Sequence, residues 1–226
     1  MATVQFHNIG IRDYKDTWDF QEQLFNEVLL AKRADVPDAP NHLIFCQHPH
    51  VYTLGRSGDE QNLLVNYIQL QAKHAQFHKI NRGGDITYHG PGQLVGYPIL
   101  DLENFGMGLR PYIYSIEEAI IQVLAKYVIS ASRDSDATGV WLDAGLPTAR
   151  KICAIGVKSS RYVTMHGFAL NVNTDLDYFR YINPCGFVDK GVTSMEKELG
   201  RTLDFDQVKR AVLDCFLSVF DVQIGF

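Results

Sequence analysis

Four cysteines, at positions 46, 153, 185 and 215, are the first candidates for covalent chemistry. None belongs to a C-x-x-C pair, which argues against zinc ribbons and thioredoxin-type redox chemistry. Cys185 differs from the others in its setting, Ile182-Asn183-Pro184-Cys185-Gly186. Asn-Pro marks a turn, and Gly186 removes steric cover beside the sulfur, so a bulky thioester could reach it. A nucleophilic cysteine has to be a thiolate, which calls for a nearby cation. The plainer alternative is a buried loop cysteine. Burial is the fate expected of Cys46 and Cys153 in apolar strands and of Cys215 on the inner face of a helix. Lys151 opens the apolar stretch Lys151-Ile152-Cys153-Ala154-Ile155-Gly156-Val157. There it could serve as a cation or as a base with a lowered pKa; a solvated strand-edge lysine is the alternative. Alternation puts residues 151 and 153 on the same face of a strand, which makes Cys153 the rival nucleophile.

The longest informative run extends from Arg82 to Pro98 and contains Gly83, Gly84, Gly90 and Gly92. Glycines so dense let backbone approach another object, either a ligand or a second strand. Arg82 brings a fixed cation with forked donors, and His89 a ring that ordinarily titrates near neutrality. A glycine-rich hairpin with a surface arginine and a satisfied histidine is the competing reading. The run is neither G-x-x-x-x-G-K-[ST] nor G-x-G-x-x-G, and neither pattern occurs elsewhere in the chain. Gly156 and the run Gly167-Phe168-Ala169 are small points on two later strands. They could wall a narrow apolar slot or simply allow tight packing.

The elements that must position these residues follow from periodicity. Strands are expected at Val4–Ile9, Leu43–Cys46, His78–Asn81, Gln93–Leu100, Val140–Leu142, Lys151–Lys158, Thr164–Asn173 and Asp221–Gly225. Helices are expected over residues 14–33, 63–76, 111–129 and 206–220. Pro111 suits a first helical turn, and Ile113, Ile116, Ile120, Leu124 and Tyr127 recur at helical spacing. Strands and helices mix without a βαβ rhythm, which favours an α+β fold over a doubly wound sheet. No linker or repeat divides the chain, so residues 1–226 are expected to form one domain. The net charge of −5 argues against nucleic-acid binding, which needs a basic face. No apolar run approaches the ~20 residues of a membrane span. No secretory signal is visible at the N-terminus, so the cytoplasm is the expected compartment.

With these residues in view, the run Arg82–Pro98 resembles the signature of lipoyl(octanoyl) transferases, R-G-G-x-x-T-[FY]-H-G-P-G-Q-L-V-x-Y-P. K-I-C-A-I-G-V, H-G-F-A-L-N-V-N and I-N-P-C-G are similar to later segments of that family, in the same order. His48-Pro49-His50-Val51-Tyr52-Thr53-Leu54-Gly55 resembles its HPxVYTLG segment. The likeness spans about residues 48–195. It implies a single α+β domain with a mixed sheet and packed helices, of the kind found in biotin and lipoate protein ligases. It implies that Cys185 is the acyl-thioester nucleophile and that Lys151 lowers its pKa and carries protons. Arg82, Gly83, Gly84, Asp85, Ile86, Thr87, Tyr88, His89, Ala154, Ile155, Gly156, Gly167, Phe168 and Ala169 are implied to line the acyl substrate. The implied partners are acyl carrier protein as donor, with lipoyl domains of 2-oxoacid dehydrogenase E2 subunits and glycine-cleavage H protein as acceptors. No metal, cofactor or ATP is implied. Two other readings remain at this point, an ATP-dependent ligase of the same fold and a non-catalytic carrier-binding protein.

Overall fold

The structure, a computed structural model, describes residues 2–36, 39–183 and 191–225. In chain order the first elements are β1 (Ala2–Ile11), α1 (Tyr14–Arg33), β2 (Asn41–Gln47), β3 (Val51–Leu54), α2 (Tyr67–Ala72), β4 (Gln76–Lys79), β5 (Ile86–His89) and β6 (Gln93–Ile99). There follow α3 (Leu109–Lys126), β7 (Ser132–Arg133), β8 (Val140–Leu142), β9 (Arg150–Ser160), β10 (Val163–Asn171), β11 (Gly191–Val192), α4 (Met195–Leu199), α5 (Phe205–Phe220) and β12 (Val222–Ile224). The main sheet runs β12-β1-β2-β6-β10-β9-β8-β7, and β11 adds to β9. It is mixed: β1 lies parallel to β12 and β2, β11 lies parallel to β9, and the remaining pairs are antiparallel.

Helices cover both faces of this sheet. β2 is accordingly buried along almost its whole length, with an unbroken apolar run from Leu43 to Cys46, as expected of a strand with no wet face. Leu43 and Phe45 point to the larger core, shared with α3 and α5 through Ile116, Ile120, Val123, Val212 and Phe216. Ile44 and Cys46 point the other way, to Leu24, Phe25 and Val28 of α1. α1 begins where the Asp13 carboxylate accepts the Lys15 N–H at 2.8 Å, and Lys32 and Arg33 sit in its last turn. α3 ends three residues before the expected 129. Val128 takes a left-handed backbone (φ 61°), and the Ile129 N–H turns back to the Leu124 carbonyl at 3.0 Å.

The strand expected at 140–142 is present with those ends, and those expected at 4–9, 43–46, 93–100, 151–158 and 164–173 are present with shifted ends. The helix expected over 63–76 contracts to α2. An Asn66–Gln69 capping box starts it, and His74 with φ 52° stops it. The strand expected at 78–81 falls earlier, at β4. A second sheet, β4-β3-β5, contains two strands that periodicity does not reveal, β3 and β5, the latter being the stretch Ile86–His89 inside the glycine-rich run. Its apolar side is a satellite core of Tyr52, Leu54, Ile86, Tyr88 and Ile182.

Candidate active site

The glycine-rich run docks on β9. The Gly83 N–H donates to the Val157 carbonyl at 2.9 Å, and Gly84 turns with φ 84°. Arg82 is only 7% exposed. Its Nη2 donates to the Thr53 carbonyl at 2.7 Å and to Thr53 Oγ1 at 3.0 Å, and its Nη1 donates to the Gly83 carbonyl. Gly156 makes room for it, since a Cβ there would sit 3.0 Å from Arg82 Cδ. The arginine therefore clamps the loop to β3 and to the sheet.

Between this loop and β9–β10 lies a cavity of about 610 Å³. It gathers Arg82, Gly83, Gly84, Asp85, Ile86, Thr87, His89, Lys151, Ala154, Ile155, Gly156, Gly167, Phe168 and Ala169. Tyr88 is the exception. It alternates away from Thr87 and His89, its ring stacks on Tyr178, and its hydroxyl meets His50 Nδ1 at 2.7 Å. Asp85 lines the cavity, but its carboxylate holds the neighbouring loop by accepting from Asn62 Nδ2, the Ile86 N–H and the Asp59 N–H. Cys185 lies outside the described residues. The chain that follows that segment re-enters as β11, where Gly191 and Val192 pair with Arg150 and Lys151.

The expectation that Lys151 and Cys153 share a face is not met. The register of β8 on β9 shifts between Val140 and Trp141, so that Trp141 opposes Lys151 while Val140 opposes Cys153. That bulge lets Ile152 and Cys153 both enter the larger core. Lys151 instead lines the cavity, with its ammonium 4.6 Å from the centre of the Trp141 ring. Burial raises the Cys153 thiol pKa, against the lowering by the Ala169 backbone and the Lys151 charge. An inaccessible thiol of this kind is a poor nucleophile. Cys46 and Cys215 are likewise buried.

Two histidines face the cavity. Gln93 Nε2 donates to the Tyr88 carbonyl and to Asn171 Oδ1, so its Oε1 is the acceptor for His89 Nδ1 at 2.8 Å. That fixes the His89 tautomer with Nε2 bare. Burial, followed by the neighbouring His48, lowers the His89 pKa to about 3. Burial, with the charges of Arg82 and Lys158, lowers that of His166 to about 3 as well. His166 Nε2 meets Asn81 Oδ1 at 2.7 Å, and its φ of 61° kinks β10 at the cavity. Both rings are neutral at neutral pH. The Gln93–Asn171 pair continues through Asn171 Nδ2 to the Thr193 carbonyl, and the Thr193 N–H donates to the Lys151 carbonyl at 3.0 Å. A chain of polar contacts thus links the His89 end of the cavity to the Lys151 strand.

Sequence reasoning passed over Tyr14, which stacks on His89 at 6.0 Å, and Tyr97, whose hydroxyl meets His48 Nε2 at 2.8 Å. It also passed over Leu109, Ile113 and the turn Asp136-Ala137-Thr138. Only the tyrosine of the Tyr97-Pro98 pair carried a motif signal. The rest are brought in by topology. Among the described residues no cluster of three or more His, Cys, Asp or Glu side chains could hold a metal ion. No helix among them is long and apolar enough to cross a membrane.

The cavity thus brings together the glycine loop, the small residues Ala154, Gly156, Gly167 and Ala169 of β9 and β10, and Lys151. Residues 13–217 match the lipoyl protein ligase A/B catalytic domain, and the chain belongs to that family. It is 54% identical to an octanoyltransferase of Flavobacterium johnsoniae over 98% of each chain. It is 58% identical to an octanoyltransferase of Bacteroides fragilis over 91% of this chain and 94% of the relative. The fold is that of a bi-partite lipoate protein ligase from Thermoplasma acidophilum, with a TM-score of 0.73 at 15% identity. That superposition covers all of this chain and 86% of the other.

Proposed function

We propose that this chain is an octanoyltransferase of protein lipoylation, acting through a thioester on Cys185. The observation that carries the reading is a cavity lined by Lys151 together with the small residues Ala154, Gly156, Gly167 and Ala169. The identity of more than half to octanoyltransferases along nearly the whole chain supports it.

The donor is octanoyl on the phosphopantetheine thiol of acyl carrier protein. The Cys185 thiolate attacks the thioester carbon, and the C–S bond to the carrier breaks as the Cys185–octanoyl bond forms. The leaving thiolate takes a proton from the Lys151 ammonium. The amine of a lysine on a lipoyl domain or on glycine-cleavage H protein then attacks the acyl-enzyme. It gives up a proton to the neutral Lys151 amine and expels the Cys185 thiolate, which restores the starting charges. A thioester is already activated, so the cycle needs no nucleotide. An ATP-dependent ligase would need adenylation and would not need Cys185. A carrier-binding protein would form no adduct.

Incubation of the protein with octanoyl carrier protein, followed by intact mass measurement and peptide mapping, tests this. A hydroxylamine-labile octanoyl group on Cys185 is expected, and it should be absent from a folded Cys185→Ser variant that no longer transfers. Transfer by that variant would overturn the covalent mechanism.

A further inference from the structure

We infer that Glu117 is a positioning residue for Lys151, because it anchors Gly139, over whose bare backbone the lysine stem runs. The inference rests on the proposed role of Lys151. Glu117 lies on α3, 7% exposed. Its Oε1 accepts the Gly139 N–H at 3.0 Å, and its Oε2 faces Arg133 Nε at 3.2 Å. Arg133 also pairs with Glu118 at 2.6 Å and lies 3.4 Å over the Tyr114 ring, so the guanidinium that faces the carboxylate is itself held from two sides.

Gly139 has φ 125°, a conformation that residues with a Cβ rarely adopt. A Cβ there would come within 2.6 Å of the Cys153 carbonyl and 3.4 Å of Lys151 Cε. Two residues on, Trp141 donates from Nε1 to the Ala137 carbonyl at 2.8 Å and sets its ring 4.6 Å from the Lys151 ammonium. The segment 137–141 therefore meets the lysine twice, once along its methylenes and once at its charge. The same segment carries the register shift that separates Lys151 from Cys153. Losing the Glu117 acceptor leaves the Gly139 N–H buried and unbonded, which is unfavourable. The turn relieves that by moving, and the lysine stem moves with it.

The test compares Glu117→Ala and Glu117→Gln in the full chain. A misplacement of about 1 Å costs up to about a hundredfold in rate. Glu117→Ala should therefore lower kcat for octanoyl transfer by about tenfold or more, with KM for octanoyl carrier protein unchanged. Glu117→Gln keeps an oxygen acceptor and should stay close to wild type. The second readout needs no transfer activity: the acetylation rate of Lys151 by acetic anhydride, followed by peptide mass spectrometry. It should rise in Glu117→Ala and stay put in Glu117→Gln. If Glu117→Ala does not fold, Glu117→Asp, one methylene short of Gly139, takes its place with the same expectation. Wild-type kcat and labelling in the alanine or aspartate variant would overturn the inference, as would a glutamine variant that falls as far. A wild-type chain that transfers no octanoyl refutes the proposed function instead, and the labelling comparison still decides whether Glu117 holds the lysine.

Discussion

Replacing Ala154 with valine should shorten the acyl slot by an amount that can be worked out. Ala154 lines the cavity and pairs directly with Ala169 on β10, and the next residues along that floor are Gly156 and Gly167. Because Ala154 lines the cavity, the two added methyl groups are expected to take up part of it. Valine suits a strand, so the fold should survive. An acyl chain displaced by two methylenes loses about 1.6 kcal/mol of burial, at about 0.8 kcal/mol per CH₂. At about 1.36 kcal/mol per tenfold, that is roughly 15-fold in kcat/KM. A hexanoyl chain ends before the obstruction and loses little. The octanoyl-to-hexanoyl ratio of kcat/KM should therefore fall by roughly 15-fold. Steady-state transfer from hexanoyl, octanoyl and decanoyl carrier protein, with circular dichroism of the variant, measures it. A folded variant with the wild-type ratio would show that the chain does not lie along Ala154.

Three further outcomes follow from burial and packing. Native protein treated with iodoacetamide should be labelled at Cys185 alone, since Cys46, Cys153 and Cys215 are each 3% exposed or less; native labelling of Cys153 would restore it as the rival. Gly96→Ala puts a methyl 2.2 Å from the Phe168 ring and should cost about 1–3 kcal/mol of stability in urea titration. An unchanged midpoint would mean that the ring has room to swing. Burial lowers His42 and His48 to about 4 and His89 and His166 to about 3, from 6.5. The unfolded chain then binds more protons than the folded one below about pH 6.5. Stability should be greatest above that pH and fall as the pH drops toward about 4. His166→Gln should flatten the slope, and urea midpoints that stay level from pH 7 to 5 would refute the assignment.

The long elements were legible because each solves one burial problem with one period. α1, α3 and α5 present apolar stripes to opposite sides of the same sheet, and the Leu43–Cys46 stretch of β2 is apolar without alternation because both its faces are covered. β3 and β5 were not legible. Each is four residues long and set among histidines, glycines and prolines that read as turns, and their pairing is visible only when the second sheet assembles. Most of the cavity lining could be read because it falls in a few dense motifs. Tyr14 on α1 and the turn at 136–138 could not, since nothing local marks a residue that reaches the cavity by topology. The Tyr88 side chain lies apart from its motif neighbours for a simple reason: a contiguous motif does not share one face once it becomes a strand.

The bulge between β8 and β9 matters most for the chemistry, and alternation alone argues against it. With a regular register, Lys151 and Cys153 would stand side by side and make a ready-made pair. The shift at Val140 and Trp141 instead buries the thiol in the larger core and leaves the amine on the cavity. The other polar groups there are differently committed. His89 and His166 are neutral, and Arg82 is clamped to Thr53 and Gly83. A thiolate that must form and re-form near neutral pH needs a cation that can also release its proton. An arginine cannot release one at working pH, and a histidine with a pKa of about 3 does not carry one. A lysine is the remaining side chain there that can in principle do both, which is why the proposed mechanism puts the proton on Lys151, whose stem runs along Gly139 and whose ammonium lies over Trp141.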